Sequence, residues 1–466
     1  MTARTFSLGA SELTRFNAHE LGLMFAKRRA SPVDVAQAVL ANIERSNPVL
    51  NAFCYLDRER TLQEAKASEA RWMRQAQLSP YDGVPFGVKD MIAVCGVPTG
   101  FGSKAAWTGE PSAVDAPSVA RLREAGCVFV GKTTTSEFGW KGTADNPLTG
   151  RTVNIRNPRL TSGGSSGGAA CAAVGGMGVF QLGTDGGGSA RIPASFCGGV
   201  GMKATFGRVP AWPAGPMMSL SNIGPMARSI RDLESLFSIV SQGDARDWNA
   251  VPRPLVSRSR ATALSGLRCG VHLDSKRCDP EVDRIVRKAV DALAAEGVVI
   301  VERPLPLTGA RELIEKHWQA GTAWLVSRIP PDRADLVDPG LREVALRGRD
   351  LPLATYYDAM VGRQQFGEAM TAHLADLDFA ISPTVPVLPF GAGRDTPEGA
   401  EGDGWLGWNP YTYPFNLTRH PAISLPAGTS ADELPVGMQL VGKLYEDEWL
   451  LQLAGLVEEA LSRSQA

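Results

Sequence analysis

Two glycine-rich segments constrain the fold of this chain more than any other feature of its sequence. "GGSSGG" occupies residues 163–168, and "GTDGGGSARIPA" occupies residues 183–194. Consecutive glycines let the backbone adopt conformations that other residues avoid and let it approach other groups closely. The sequence over 179–185 predicts a strand that ends in a turn, and the residues after the glycines predict a short helix. Two tight, serine-containing turns therefore lie close together in the chain.

The rest of the chain alternates between segments typical of strands and segments typical of helices. Ser31 is a candidate N-cap, with Pro32 at the first helical position. Strands are predicted at 51–56, 84–94, the end of 117–132, 267–273, 298–302, 378–383, 421–426 and 436–442. Helices are predicted at 31–47, 58–77, the start of 117–132, 229–241, 280–296 and 447–463, with a glycine-rich loop at 390–410. This alternation is typical of an α/β fold in which helices cover both faces of a sheet.

The length of 466 residues fits one large α/β domain, and we interpret 1–466 as a single domain. Residues 244–262 are rich in Arg, Pro, Ser and Ala, so a boundary near 245–265 is the main alternative. A peripheral subregion on the substrate side is expected at about 245–375.

The composition argues against several classes of protein. The formal net charge is −1, and no long run of Lys and Arg occurs, which argues against a nucleic-acid or membrane-surface partner. The start lacks an apolar signal segment, and no run of about 18 apolar residues follows, so we expect a cytoplasmic protein. Neither the seven cysteines nor the five histidines have zinc-ligand spacing. We therefore expect no zinc site.

The glycine segments do not match the usual phosphate-binding loops. A Walker loop requires a lysine that both segments lack, and the residues around 183–188 break the spacing of a dinucleotide loop. The glycines can instead aim several N–H groups at one anion. An oxyanion that forms when Ser189 attacks a carbonyl would be such an anion. Gly186, Gly187 and Gly188, with the Ser189 N–H, are thus candidate oxyanion-hole donors, although this loop by itself favours a helix N-cap role for Ser189.

A serine nucleophile needs a base, and the sequence offers two. Lys89 lies in the apolar run 84–94, where burial would lower its pKa and leave a neutral amine available. The alternative for Lys89 is a lysine that pairs with an acid. Ser165 also lies at the centre of a formal G-x-S-x-G match, which would make it the nucleophile of an α/β-hydrolase with His420 as base. No strand is predicted to lead into that match.

Taken together, these segments resemble the amidase signature family of serine hydrolases. The resemblance spans nearly the whole chain and is strongest over 81–233. The matching segments are "GVPFGVKD" (83–90), "TSEFGWKGTADNP" (135–147), "TSGGSSGGAA" (161–170), "QLGTDGGGSARIPASFCGGVGMKATFGRVP" (181–210), "IGPMARSIRDL" (223–233), "FNLTRHPAISLPAG" (415–428) and "LPVGMQLVGKLYEDEWLL" (434–451).

The resemblance implies a large mixed β-sheet, a Ser-Ser-Lys triad and no metal or cofactor. It implies that Ser189 is the acylated nucleophile, that Ser165 follows a cis peptide bond and bridges the proton transfer, and that Lys89 is the base. Backbone N–H groups from Gly186 to Ser189 would form the oxyanion hole. Asp185 and Arg191 match scaffold positions that hold this loop. The implied reaction is cleavage of a carboxamide C–N bond of a small molecule.

The resemblance leaves the substrate and the partners open. Aromatic residues suggest a substrate pocket, with Phe138, Trp140, Trp408 and Tyr411 as candidates, and Arg419 replaces a common glycine near the expected entrance. A glutamine-hydrolysing A subunit of a tRNA-dependent amidotransferase, which needs partner subunits, is the first alternative. A catalytically silent binding protein is the second. A homodimer is expected from base rates alone.

Overall fold

A mixed sheet of eleven strands runs through the molecule, which is described here as a computed structural model covering residues 10–251 and 258–465. The thirteen strands are β1 Phe53–Leu56, β2 Pro85–Lys89, β3 Val128–Thr133, β4 Asp145–Asn146, β5 Gly150–Arg151, β6 Phe180–Asp185, β7 Val200–Lys203, β8 Asn222–Ala227, β9 Arg268–Val271, β10 Val299–Glu302, β11 Phe379–Pro383, β12 Ala422–Thr429 and β13 Pro435–Val441. The large sheet has the order β1-β3-β2-β6-β8-β7-β12-β13-β11-β9-β10, and β4 pairs with β5 separately.

Fifteen α-helices are present in the described residues. They are α1 Ala10–Leu13, α2 Ala18–Ala26, α3 Pro32–Leu50, α4 Arg58–Met73, α5 Pro117–Glu124, α6 Gly167–Val174, α7 Arg191–Cys197, α8 Ile230–Val240, α9 Pro280–Ala295, α10 Ala310–Val326, α11 Pro339–Arg349, α12 Leu353–Leu374, α13 Gly404–Gly407, α14 Tyr413–Thr418 and α15 Asp447–Gln465. Ser31 caps α3, as predicted, by accepting a hydrogen bond from the backbone N–H of Asp34.

Helices cover both faces of the sheet, as the alternation predicted. Successive strand residues point to opposite faces, and this is visible on β3. Phe129 joins a core cluster with α5, α8, α9 and α15, whereas Val130 joins a second cluster with α3, α6 and α7. The α/β fold class is therefore confirmed, and the sheet is mixed because parallel pairs such as β2–β6 stand beside antiparallel pairs such as β6–β8.

The structure corrects the predicted extent of one strand. The sequence predicted a strand over 84–94, but β2 ends at Lys89. The N–H groups of Met91 and Ile92 both donate to the carbonyl of Lys89 and close a turn there. Because the strand stops at this residue, Lys89 lies at the carboxyl end of β2 rather than in the middle of a longer strand.

The helices α10, α11 and α12 were not predicted as helices. With α13 and α14, they surround a third apolar cluster, which contains Trp140, Trp318 and Trp405. The strands β9 and β10 follow residues 252–257 and belong to the same large sheet, in which β9 pairs with both β11 and β10. The part of the predicted linker at 252–257 lies outside the described residues, and the single-domain assignment stays a prediction. Within 10–251 and 258–465, no helix has the length and apolar character needed to cross a bilayer.

Candidate active site

Two parallel neighbouring strands bring the first candidate residues together. β2 and β6 pair in parallel, with Val88 opposite Leu182. The carboxyl ends of parallel neighbours meet at one edge of a sheet, which is where α/β proteins commonly build their sites. Lys89 ends β2, and Thr184 and Asp185 end β6. The base and the second glycine loop therefore start from the same edge.

Lys89 is fully buried, and its amine has hydroxyl partners instead of a carboxylate partner. Nζ lies 2.6 Å from Ser165 Oγ and 2.8 Å from Thr184 Oγ1. The adjacent carboxylate, Asp90, lies 3.2 Å from Lys132. Burial lowers the pKa of Lys89 to about 7, and the charge of Asp185 opposes the shift only in part. A neutral amine hydrogen-bonded to a serine is therefore accessible near pH 7.

A lowered pKa alone does not identify a catalytic amine in this protein. Lys203 is equally buried, and burial together with the charge of Arg191 lowers its pKa to about 7 as well. Its Nζ donates to the backbone carbonyl of Ala204. What distinguishes Lys89 is its contact with a serine in a glycine-rich loop.

The first glycine loop holds Ser165 by close backbone packing. The peptide bond Gly164–Ser165 is cis, as the resemblance implies. A Cβ atom at Gly164 would lie 2.1 Å from the carbonyl oxygen of Thr143, so only glycine fits there. The Ser166 N–H donates to the carbonyl of Ser189 at 3.0 Å. This backbone hydrogen bond joins the two glycine loops beside the candidate serines.

A buried ion pair holds the second loop. Every N–H of the Arg191 guanidinium is used, since it donates to both carboxylate oxygens of Asp185, to Thr412 O, to Gln439 Oε1 and to Asn416 Oδ1. Burial alone would raise the pKa of Asp185, but the charge and hydrogen bonds of Arg191, with the Asn416 amide, lower it to about 2. The carboxylate therefore stays ionised at neutral pH.

The structure changes the set of candidate oxyanion donors. The N–H of Gly188 donates to Asp185 Oδ1 at 2.9 Å, and the N–H of Ala190 donates to Asp185 Oδ2 at 3.2 Å. The expectation that Gly188 offers its N–H to an oxyanion is therefore wrong, because the scaffold carboxylate already accepts that hydrogen. In the described part of the chain, the N–H groups of Gly186, Gly187 and Ser189 have no partner.

Neither of the open alternatives for the serines finds support in the geometry. The residue that caps α7 is Ala190, and no side chain caps this helix, so Ser189 is not a capping serine. His420 is buried with one ring nitrogen 3.0 Å from Thr418 Oγ1 and the other 3.4 Å from Thr371 Oγ1. Burial lowers the pKa of the His420 imidazole to about 3. His420 therefore contacts two threonines, whereas the α/β-hydrolase interpretation requires it to contact Ser165.

The four predicted pocket aromatics have different surroundings. Phe138 is half-buried and stacks on Phe101, and the backbone carbonyl of Trp140 accepts from the indole of Trp318. The other two rings have core contacts. Trp408 stacks on Phe196 and packs edge to face on Phe390, and Tyr411 packs on His272 with its hydroxyl 3.9 Å from Cys278 Sγ. A pocket role for these four residues stays a prediction.

Two tryptophans lie beside the oxyanion loop, and sequence reasoning missed one of them, Trp318. Trp318 lies 3.5 Å from the Cβ position of Gly186, and Trp405 lies 3.0 Å from that of Gly187. The two rings pack edge to face with centroids 5.0 Å apart. Trp318 belongs to none of the motifs recognised in the sequence. It lies on α10, which is far from the loop in sequence. No group of three His, Cys, Asp or Glu side chains placed to hold a metal ion occurs in the described ranges.

Several known proteins are similar to this chain in sequence and in structure. The Amidase family model matches residues 34–451. An acylamidase from Rhodococcus erythropolis is 32% identical over 458 residues, covering 95% of this chain and 94% of that protein. The A subunit of the glutamyl-tRNA(Gln) amidotransferase from Chloroflexus aggregans is 32% identical over 450 residues, covering 90% and 91%. The crystal structure of a bacterial aryl acylamidase of the amidase signature family superposes with a TM-score of 0.88 at 25% identity, covering 97% of both chains.

Proposed function

The chain belongs to the amidase family and is an amide-cleaving hydrolase, and from this premise we propose that it cleaves a small carboxamide through an acyl-enzyme on Ser189. Ser189 is 4% exposed, and its hydroxyl has no hydrogen bond within the described residues. Lys89 and Ser165 would form the proton relay. The contact of 2.6 Å between Lys89 Nζ and Ser165 Oγ carries the proposal.

The relay proceeds in two transfers. The neutral Lys89 amine accepts the proton of Ser165, and Ser165 accepts the proton of Ser189 as the Ser189 oxygen attacks the amide carbon. Collapse of the tetrahedral intermediate breaks the C–N bond, and the relay returns a proton to the leaving amine. Water then attacks the acyl-enzyme by the same route. The products are a carboxylic acid and an amine or ammonia.

The second glycine loop supplies the charge stabilisation. The unpartnered N–H groups of Gly186, Gly187 and Ser189 would bind the oxyanion, and loss of one such donor typically costs about 10²–10³ in rate. The ion pair of Asp185 with Arg191 fixes the loop by accepting the neighbouring N–H groups of Gly188 and Ala190. These donors are therefore held in place before the reaction begins.

A fluorophosphonate probe tests the proposal directly. We expect intact-mass analysis to show one adduct, mapping to Ser189, which is lost in Lys89→Ala. The matched control is Lys203→Met, which removes another buried lysine of similar pKa and should keep the adduct. An adduct on Ser165 would overturn the assignment of roles, and the absence of any adduct would favour the catalytically silent alternative.

The second candidate is the glutamine-hydrolysing component of a tRNA-dependent amidotransferase. The observation in its favour is that a protein of this kind is as similar to the chain as the acylamidase is, at 32% identity. Glutamine hydrolysis that requires copurified partner proteins would support it. Hydrolysis of simple amides by the isolated chain would support the free-standing amidase.

A further inference from the structure

A cavity of about 880 Å³ lies between α10, α12 and the segment 214–220. This volume is within the range that small-molecule sites occupy. Apolar side chains make up much of its wall, and Trp324 and Met360 are among them. Its described lining contains no Asp or Glu, but it contains two arginines, Arg363 and Arg419. The cavity therefore combines an apolar wall with positive charge.

Arg363 brings a positive charge that no carboxylate offsets. Its guanidinium donates to the backbone carbonyls of Leu417, Asn416 and Ser219, and to the Ser219 hydroxyl. These acceptors are all neutral. Burial and the nearby charge of Arg419 lower the pKa of Arg363 to about 10, which leaves it charged at neutral pH. The two arginines repel each other, so an anion bound beside them would be stabilised.

Arg419 is an exposed arginine in an unusual backbone conformation. It ends α14 with φ +65°, in the left-handed region that favours glycine at the end of a helix. Its guanidinium carbon lies 5.1 Å from the centre of the Phe206 ring. Among the residues that the structure describes, Arg419 has no hydrogen bond and no ion pair through its side chain. Its N–H donors are therefore available to a ligand in the cavity.

The cavity lies near the oxyanion loop but does not contain the nucleophile. Leu220 lines it, and the next residue, Ser221, has its Cα 4.0 Å from the Cβ position of Gly186. Ser189 does not line it. A ligand in this cavity is therefore a different molecule, or a different part of a molecule, from the amide that Ser189 would attack.

From these contacts, we propose that this cavity is a second ligand site, which binds an amphipathic carboxylate. Arg419 would donate to both oxygens of the carboxylate, and Arg363 would add its positive charge. The apolar part of the ligand would pack on Trp324 and Met360. A neutral amphiphile would leave the two arginines without a counter-charge, and a small polar anion would leave the apolar wall uncovered. Binding here requires no catalysis, so it goes beyond the proposed function.

Isothermal titration calorimetry with octanoate, below the concentration at which it forms micelles, tests the site. Three comparison ligands separate its two features: 1-octanol has the chain without the charge, acetate has the charge without the chain, and octylammonium has the opposite charge. We expect octanoate to bind about tenfold more tightly than any of them, the size typical of a hydrogen bond to a charged group. Equal affinity for octanoate and 1-octanol would overturn the proposal.

Arg419→Gly is the decisive variant, because glycine suits the left-handed backbone at this position. We expect it to weaken octanoate binding about tenfold while the melting temperature stays the same or rises, so unfolding cannot explain the loss. Arg419→Lys should keep part of the affinity. Arg328→Ala is the matched control, since Arg328 lies 5.2 Å from the Trp324 ring but does not line the cavity. Unchanged binding in Arg419→Gly, or equal weakening in Arg328→Ala, would overturn the proposal.

Two further measurements separate this site from a membrane surface and from the active site. Met218 at the cavity is 62% exposed, and an anionic lipid surface would present similar chemistry. We expect no sedimentation with phosphatidylglycerol vesicles, and sedimentation that requires Arg419, without octanoate binding, would overturn the proposal. Ser189→Ala should bind octanoate as the wild type does. A wild type that fails to react with the fluorophosphonate but binds octanoate would refute the proposed function and leave this site supported.

Discussion

The amine of Lys89 donates to two hydroxyls at once, that of Ser165 at 2.6 Å and that of Thr184 at 2.8 Å. Ser165 comes from the first glycine loop, and Thr184 comes from the strand that leads into the second. Neither hydroxyl carries a charge, so nothing in direct contact with the amine offsets the loss of solvation that burial imposes. Burial therefore lowers the pKa of Lys89 to about 7, so a neutral amine directed at a serine is accessible near that pH.

The first prediction concerns pH. Because burial lowers the pKa of Lys89 to about 7, the neutral base is scarce below pH 7 and prevails above it. The rate of fluorophosphonate labelling should therefore rise with pH, with a midpoint near 7, and then level off. Lys203→Met should keep this midpoint. A midpoint that moves in Lys203→Met, or a rate that falls as pH rises through 7, would contradict the assignment of Lys89 as base.

The second prediction concerns Thr184. Its hydroxyl accepts a hydrogen bond from the Lys89 amine, and such a bond favours the charged form of the amine. Thr184→Val should lower the pKa of Lys89 further, so the labelling midpoint should move to lower pH while the plateau rate falls about tenfold. Thr184→Ser should restore both values. A purely structural role would reduce the amount of active protein but leave the midpoint in place.

The third prediction ranks alanine substitutions in the second loop. A Cβ at Gly186 would make ordinary contacts with Trp318 at 3.5 Å, and a Cβ at Gly187 would crowd Trp405 at 3.0 Å. Gly188 has φ +122°, and a Cβ there would lie 2.4 Å from Thr412 Oγ1. Gly186→Ala should remain near wild type, Gly187→Ala should lose activity several-fold, and Gly188→Ala should lose at least about 1 kcal/mol of stability. Urea unfolding measures the stability of each variant, and the rate of fluorophosphonate labelling measures its activity. Any other order of the three variants would refute the ranking.

The fourth prediction concerns the buried ion pair. Arg191→Met would leave Asp185 charged and fully buried, which typically costs about 3–5 kcal/mol. We expect that loss in the free energy of unfolding from urea titration, together with slower labelling of Ser189. The control is Arg347→Met, which breaks the exposed pair with Glu343 and should cost about 0–1 kcal/mol. Equal losses for the two variants would show that the buried pair contributes no more than a surface pair.

Most of the helices and strands could be predicted because their signals are local. The N-cap at Ser31 and the apolar runs of the strands each depend on a few neighbouring residues. The helices α10 to α12 were missed. α12 has almost no amphipathic pattern, and it packs on other helices more than on the sheet. The strand that contains Lys89 was predicted too long, because the apolar residues after it form a turn.

The sequence by itself determined the two glycine loops, their serines and the lysine that precedes them, because spacing and residue type are local properties of the chain. Only the tertiary structure decided what each group contacts. It placed Lys89 on a serine 76 positions away and Arg191 on Thr412, which is 221 positions away. It also assigned the Gly188 N–H to Asp185 and left the Asn409 side chain without a partner among the described residues. Such pairings depend on how the sheet and the helices pack around the site, and residue spacing does not encode them.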